Sequence, residues 1–144
     1  VSTAKAEKLR GVLGRLHTLK PNRLEAQLLS GVTITDQKSL DAAADALLDT
    51  GLQRIFISLG SEGMYAADHT GRCHVPCLPG TMVNTTGCGD AAMAAIAWCH
   101  LEEAGLEDTA RLAMAAGAIA MESAETINPD LSARALRQRA AQSL

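Results

Sequence analysis

Asn84-Thr85-Thr86-Gly87-Cys88-Gly89-Asp90 combines, in one short stretch, the parts needed to hold an anion and to move a proton. Gly87 and Gly89 remove side chains where a backbone must come close to a ligand, and the alanine-rich stretch that follows provides a helix start. A helix start presents free N–H groups and the positive end of the dipole. Asp90 is out of place as an anion ligand, because its charge repels what the glycines attract. It makes sense as the group that takes a proton from a nucleophile attacking a bound phosphoryl group. A plainer reading stands beside this one, in which Gly89 turns the chain and Asp90 complements the helix dipole.

Two further segments have chemistry in their spacing. In Asn22-Arg23-Leu24-Glu25 the asparagine and the carboxylate lie three residues apart, which suits a capping box. The same pair can project from a helix start and hold magnesium through water, since that ion prefers carboxylate and water oxygens. Ser58-Leu59-Gly60-Ser61-Glu62-Gly63 lies at the carboxyl end of an apolar run, where open α/β sheets bind ligands and where glycines let main-chain N–H groups reach phosphates. A tight turn into the next strand explains it equally well.

The elements that must position these segments are legible from periodicity. Thr3 to Leu13 reads as a short helix and Leu16 to Leu19 as a short strand before Pro21. Asn22 opens a helix that ends near Gly31. Thr35 is the expected N-cap of an amphipathic helix carrying Leu40, Ala43, Ala44, Leu47 and Leu48, which stops at Gly51. Arg54 to Leu59 is a strand covered on both faces. Met64 to Ala67 and Cys73 to Cys77 flank Asp68-His69-Thr70-Gly71, which has hairpin chemistry. Met82 to Asn84 is expected as a last short strand. After it come three helices: one to about Glu102, a second from Glu107 to about Ser123, and a third capped by Ser132. Helices alternating with buried strands predict a mostly parallel sheet with helices on its faces.

Composition excludes several classes of function. The chain has 144 residues, 47% apolar and 20% charged, which suits one globular domain. With 26 alanines against single Phe, Tyr and Trp residues, its core is built from small and aliphatic side chains, and base-stacking platforms are excluded. A net charge of −3 leaves no basic surface for nucleic acid. The apolar runs Ala91 to Cys99 and Leu112 to Met121 are about half the ~20 residues a membrane span needs, so neither nucleic acid nor membrane is expected as a partner. Four cysteines without a CxxC pair predict reduced thiols in a cytoplasmic protein. Cys73-His74-x-x-Cys77 and Cys99-His100 are poor metal sites, because His74 points to the opposite strand face from Cys73 and Cys77. Arg134, Arg137 and Arg139 read as the wet face of the last helix.

Taken in order and spacing, the three segments resemble the C-terminal half of the ribokinase-like (pfkB) sugar and nucleoside kinases. The family motif Asp-Thr-x-Gly-Ala-Gly-Asp is similar to Asn84 to Asp90, its Asn-x-x-Glu to Asn22 to Glu25, and its Thr-Leu-Gly-x-x-Gly to Ser58 to Gly63. Leu19 to Ala26 and Asn128-Pro129-Asp130-Leu131-Ser132 look most similar to bacterial pseudouridine kinases. The resemblance implies a three-layer αβα domain, here the nucleotide-binding C-terminal portion over 1–144, and an enzyme that uses ATP and Mg2+ on a small sugar or nucleoside. Pseudouridine, phosphorylated on its ribose 5′-hydroxyl, is the leading acceptor. The alternatives are another pfkB kinase such as ribokinase, or a non-catalytic nucleotide-binding fragment.

By position, the resemblance implies that Asp90 is the base and that the N–H groups of Gly87, Cys88 and Gly89 form the anion hole. Glu25 with Asn22 organises magnesium and the triphosphate. Ser58, Gly60 and Gly63 line the ATP site, and Met114 and Gly117 the adenine pocket. A monovalent cation, potassium, is held partly by carbonyls of Asn84 and Thr86, but Asn84 stands where the family has Asp and removes a negative charge there. Cys88 in place of a small residue puts an oxidisable thiol beside the hole. Family members are about twice as long, so the acceptor-binding and lid half is expected to be absent, with Val1-Ser2 falling just after a central strand. A processed chain, a truncated product or a fragment all fit that. The partner is then a second copy or a complementing N-terminal half, and the isolated chain is expected to be inactive.

Overall fold

The computed structural model describes residues 3–80 and 82–142. Val1 and Ser2, expected just after a central strand, lie outside the described residues. The chain forms two compact units, one running to Leu59 and including Tyr65–Cys73, the other comprising Gly60–Met64 and everything from His74 on.

The first unit opens with α1 (Thr3–Ala6) and a 3₁₀ segment, Glu7–Arg15, in place of the single helix expected to Leu13. Strand β1 (Thr18–Leu19) pairs in parallel with β2 (Arg54–Ser58), Thr18 opposite Arg54 and Leu19 opposite Ile55. Between them lie α2 (Arg23–Ser30) and α3 (Gln37–Leu48), a βααβ crossover of the kind parallel pairing requires. The N-cap of α3 is Asp36, one residue later than expected. Its side chain accepts from Ser39 N–H at 2.8 Å while Ser39 Oγ accepts from Asp36 N–H at 3.0 Å, a reciprocal pairing that Thr35 cannot make because Lys38, three positions on from it, has no side-chain acceptor. Leu40, Ala43, Ala44, Leu47 and Leu48 are buried at the expected helical spacing, against Ile55 and Ile57 of β2.

The sheet has four strands in the order β1-β2-β3-β4, with β3 spanning Met64–Asp68 and β4 Arg72–Val75. The connection between β3 and β4 is the expected hairpin, closed by Asp68 N–H donating to Gly71 O at 2.9 Å. Asp68 Oδ1 accepts from the N–H groups of Thr70 and Gly71 at 2.8 and 3.0 Å, the local bonding that makes Asp a turn residue.

The second unit is helical: α4 (Cys88–Leu101), α5 (Leu106–Met121) and α6 (Ala133–Ala141), the last capped by Ser132 as expected. Ala95, Ala115, Ala116, Ala118, Ile119, Leu136 and Ala140 form its core, and their small volumes let the helix axes approach closely. Two of the three late arginines are tied down: Arg139 pairs with Glu122, and the Arg137 guanidinium lies 5.2 Å from the Trp98 ring centre. Met82–Asn84 is not a strand. The Val83 and Asn84 amides both donate to Met121 O at the end of α5, at 2.8 and 3.1 Å, and so are satisfied without a strand partner. No helix among the described residues is long and apolar enough to cross a membrane.

Candidate functional site

In the first unit Pro21 ends β1 and the chain turns into α2. Asn22 stays extended, with φ −80° and ψ 176°, and caps the helix. Its Oδ1 accepts from Glu25 N–H and Glu25 Oε2 accepts from Asn22 N–H, both at 2.9 Å, so the capping box is complete. That box leaves something over. Glu25 is 8% exposed, and its second oxygen, Oε1, is buried without a hydrogen-bond partner among the described residues. A buried carboxylate oxygen left unpaired is costly unless something else meets it. A hydrated divalent cation is what such an oxygen fits, so the residues present suit magnesium.

Ser58 is brought to the same place. It bridges Asn22 in parallel register as the last residue of β2, and its N–H donates to Pro21 O at 2.9 Å. Asn22, Glu25 and Ser58, scattered over 37 positions of sequence, thus meet at the carboxyl edge of β1 and β2. Asp41, Asp45, Arg72 and Tyr65 form a separate polar network in this unit. The Tyr65 hydroxyl donates to Asp41 Oδ1 at 2.7 Å, and Arg72 contacts Asp41 and Asp45 at 3.4 and 2.9 Å. Burial, then the Asp41 hydrogen bond, raises the Tyr65 pKa well above its ordinary value.

In the second unit Gly60 opens a 3₁₀ turn over Gly60–Glu62 with φ 63°, and Gly63 follows with φ 95°. A Cβ on Gly63 would lie 2.1 Å from Val75 O, so only glycine fits there. His74 is committed to this turn, its Nε2 lying 2.7 Å from Glu62 O.

The cradle of Asn84 to Asp90 is built in the same unit. Gly87 is the N-cap of α4 with φ 86°, and a Cβ there would come within 2.4 Å of Thr126 O. No side chain caps this helix. The Cys88 amide makes only a long contact with Thr85 O, 3.4 Å, and the amides of Gly87 and Gly89 meet no acceptor among the described residues. Asp90 is exposed in the first turn of α4. Gly117 of α5 faces this start, a Cβ there falling 3.6 Å from Cys88 O, while Met114, one turn earlier, is partly buried against the second core.

The connection after α5 holds the cradle, and sequence reasoning missed it. Met121 O receives the Val83 and Asn84 amides, Ala124 O receives Asn84 Nδ2 at 3.4 Å, and Thr126 O lies against Gly87. These are main-chain carbonyls, which no residue type announces. Asn84 itself is fully engaged, because its Oδ1 accepts from Thr86 N–H at 3.0 Å. A side-chain amide fits a monovalent cation poorly, since its NH2 group puts donors where a cation needs an oxygen.

Comparison with known proteins places the chain in a family. The model of the pfkB family carbohydrate kinases matches residues 1–134. Pseudouridine kinase of Escherichia coli K12 is 37% identical over 134 residues, covering 92% of this chain and 42% of that enzyme. Among solved structures, phosphofructokinase-2 from Escherichia coli in complex with substrates and products superposes with a TM-score of 0.83 at 26% identity, covering 95% of this chain and 45% of that one. Arabidopsis thaliana ribokinase complexed with ribose and ATP shares the fold, with a TM-score of 0.81 at 22% identity over 91% of this chain and 43% of that one. The chain therefore spans less than half the length of each of these three relatives.

Proposed function

The chain belongs to the pfkB family of carbohydrate kinases, and on that premise we propose that it forms the phosphoryl-donor half of a kinase acting on a sugar or nucleoside hydroxyl, with pseudouridine the leading acceptor. The observation that carries this is the uncapped start of α4, with its glycine N-cap, free amides and exposed Asp90. ATP supplies the γ-phosphoryl group, and Mg2+ offsets the charge of the triphosphate.

In this reading Asp90 takes the proton of the acceptor hydroxyl as the new O–P bond forms and the bond from phosphorus to the ADP oxygen breaks. The amides of Gly87, Cys88 and Gly89 point to where negative charge develops, and their rigid placement avoids reorganisation during transfer. Glu25, seated by Asn22, receives magnesium through water with its spare oxygen. Ser58, Gly60 and Gly63 bring main chain close to the phosphates, and Met114 and Gly117 border the adenine. The pseudouridine assignment rests on the 37% identity to the Escherichia coli enzyme. In this reading the acceptor-binding residues lie outside these 144 residues.

Titration calorimetry of the 144 residues with Mg·ATP, combined with an assay for pseudouridine 5′-phosphate, tests both parts of the reading. The expected result is nucleotide binding without turnover. Absence of binding overturns the donor site, whereas turnover by these residues alone overturns the claim that the acceptor site lies elsewhere.

A further inference from the structure

The cradle is tied to the α5–α6 connection at successive points, and only one of those ties runs through a side chain. Val83 and Asn84 amides reach Met121 O, and Gly87 rests on Thr126 O; these are main-chain contacts. Between them Asn84 uses its whole side chain as a bridge. Thr86 N–H is a donor, so the atom facing it at 3.0 Å must be Oδ1, which leaves Nδ2 to donate to Ala124 O at 3.4 Å.

We propose that Asn84 is a positioning residue that fixes the anion cradle to the connection after α5 through a neutral amide bridge, so that no monovalent cation is needed there. The chemistry of the alternative makes the point. A carboxylate at this position would still accept from Thr86 N–H, but its second oxygen would face Ala124 O, acceptor against acceptor. Such a pair repels unless a cation, or a water that donates to both, stands between its oxygens. The amide replaces that ion with a covalently attached donor. The role in phosphoryl transfer rests on the kinase reading above, whereas the bridge itself does not.

Three proteins are compared, wild type, Asn84→Asp and Asn84→Ala, each in potassium chloride and in tetramethylammonium chloride at equal ionic strength. Hydrogen exchange of the amides in 82–90 reads the bridge without nucleotide, and the Kd for Mg·ATP reads its consequence. The wild type is expected to exchange slowly in both salts and to bind with a Kd that changes less than about twofold, since ionic strength is held constant. Asn84→Asp is expected to exchange faster and to bind up to about tenfold more weakly in tetramethylammonium, the loss of one net hydrogen bond, and to recover both in potassium. Asn84→Ala is expected to lose protection in both salts without recovery. The proposal is overturned if the wild type shows the potassium dependence expected of Asn84→Asp, or if Asn84→Asp stays as protected as the wild type in tetramethylammonium. Should the exchange pattern hold while no variant binds ATP, the kinase reading fails and the bridge stands.

Discussion

At the start of α2 the backbone is closed by its own side chains, Asn22 and Glu25 exchanging hydrogen bonds at 2.9 Å. At the start of α4 Gly87 offers no side chain, and among the described residues the amides of Gly87 and Gly89 meet no acceptor. Both are helix starts with a carboxylate nearby, yet they suit opposite partners. With the Asn22 and Glu25 amides satisfied, what remains is a single buried oxygen of Glu25, which suits a cation or its water. With the Gly87 and Gly89 amides unmet among the described residues and that of Cys88 only weakly held, what remains is a set of N–H groups and a dipole end that suit an anion. The difference lies in where the cap comes from: side chains within the helix finish one start, and main chain from the distant 121–126 segment supports the other without filling it.

The largest effect expected at either start is that of Asp90→Asn in the complete kinase. Turnover should fall about 10²- to 10⁴-fold with Mg·ATP binding retained, the span of general-base contributions, as measured by steady-state rates and calorimetry. An unchanged rate would remove proton transfer from the α4 start. Next is Gly87→Ala. It forces an L-residue to φ 86° and pushes a Cβ to 2.4 Å from Thr126 O, so denaturant unfolding should show a loss of about 3 kcal/mol. Stability equal to wild type would mean that the 121–126 support is not rigid.

Glu25 separates capping from cation binding. Glu25→Gln keeps an oxygen for Asn22 N–H and should leave the thermal midpoint nearly unchanged, yet weaken Mg·ATP binding about tenfold, one charge-assisted contact. Glu25→Ala should add about 1 kcal/mol of destabilisation from the broken box. Equal Mg·ATP affinity in Glu25→Gln would leave the spare oxygen without a ligand role.

The smallest effect belongs to the Asp41 network, away from both starts. Burial alone would raise the Asp41 pKa, but hydrogen bonds from Tyr65, Gln37 and Arg72 outweigh it and hold the carboxyl below its ordinary 3.8. The unfolded chain therefore takes up this proton first. The stability it contributes is present above about pH 4 and is lost as pH falls through the folded value. Thermal midpoints from pH 6 down to pH 3 should decline less steeply for Asp41→Asn than for wild type, and identical slopes would show that the network does not bear on folding.

Much of this was written locally. Leu40, Ala43, Ala44, Leu47 and Leu48 announced α3 because burial on one helical face forces a 3.6-residue period, and Ser132 announced α6 because a hydroxyl can serve the first free amides. Asn22 and Glu25 announced the box at α2, and Gly87 announced the start of α4. What misled was equally local. Met82–Asn84 has the composition of a strand, but its amides are taken by the end of α5, and Met82 and Val83 are 70% and 55% exposed. Thr35 and Asp36 are both good caps, and only the reciprocal fit of Asp36 with Ser39 chose between them.

The sequence by itself determined which residues could do chemistry and which helices would present them, because caps, turns and amphipathic faces are set by neighbours a few positions apart. Tertiary structure alone decided that Ser58 would stand beside Asn22, that Glu25 would keep a buried oxygen unmet, and that Asn84 would reach a carbonyl 40 positions away. The physical reason is that these outcomes depend on main-chain groups and on burial. Every residue carries the same carbonyl and nearly every one the same amide, so only the folded path of the chain says which of them meet.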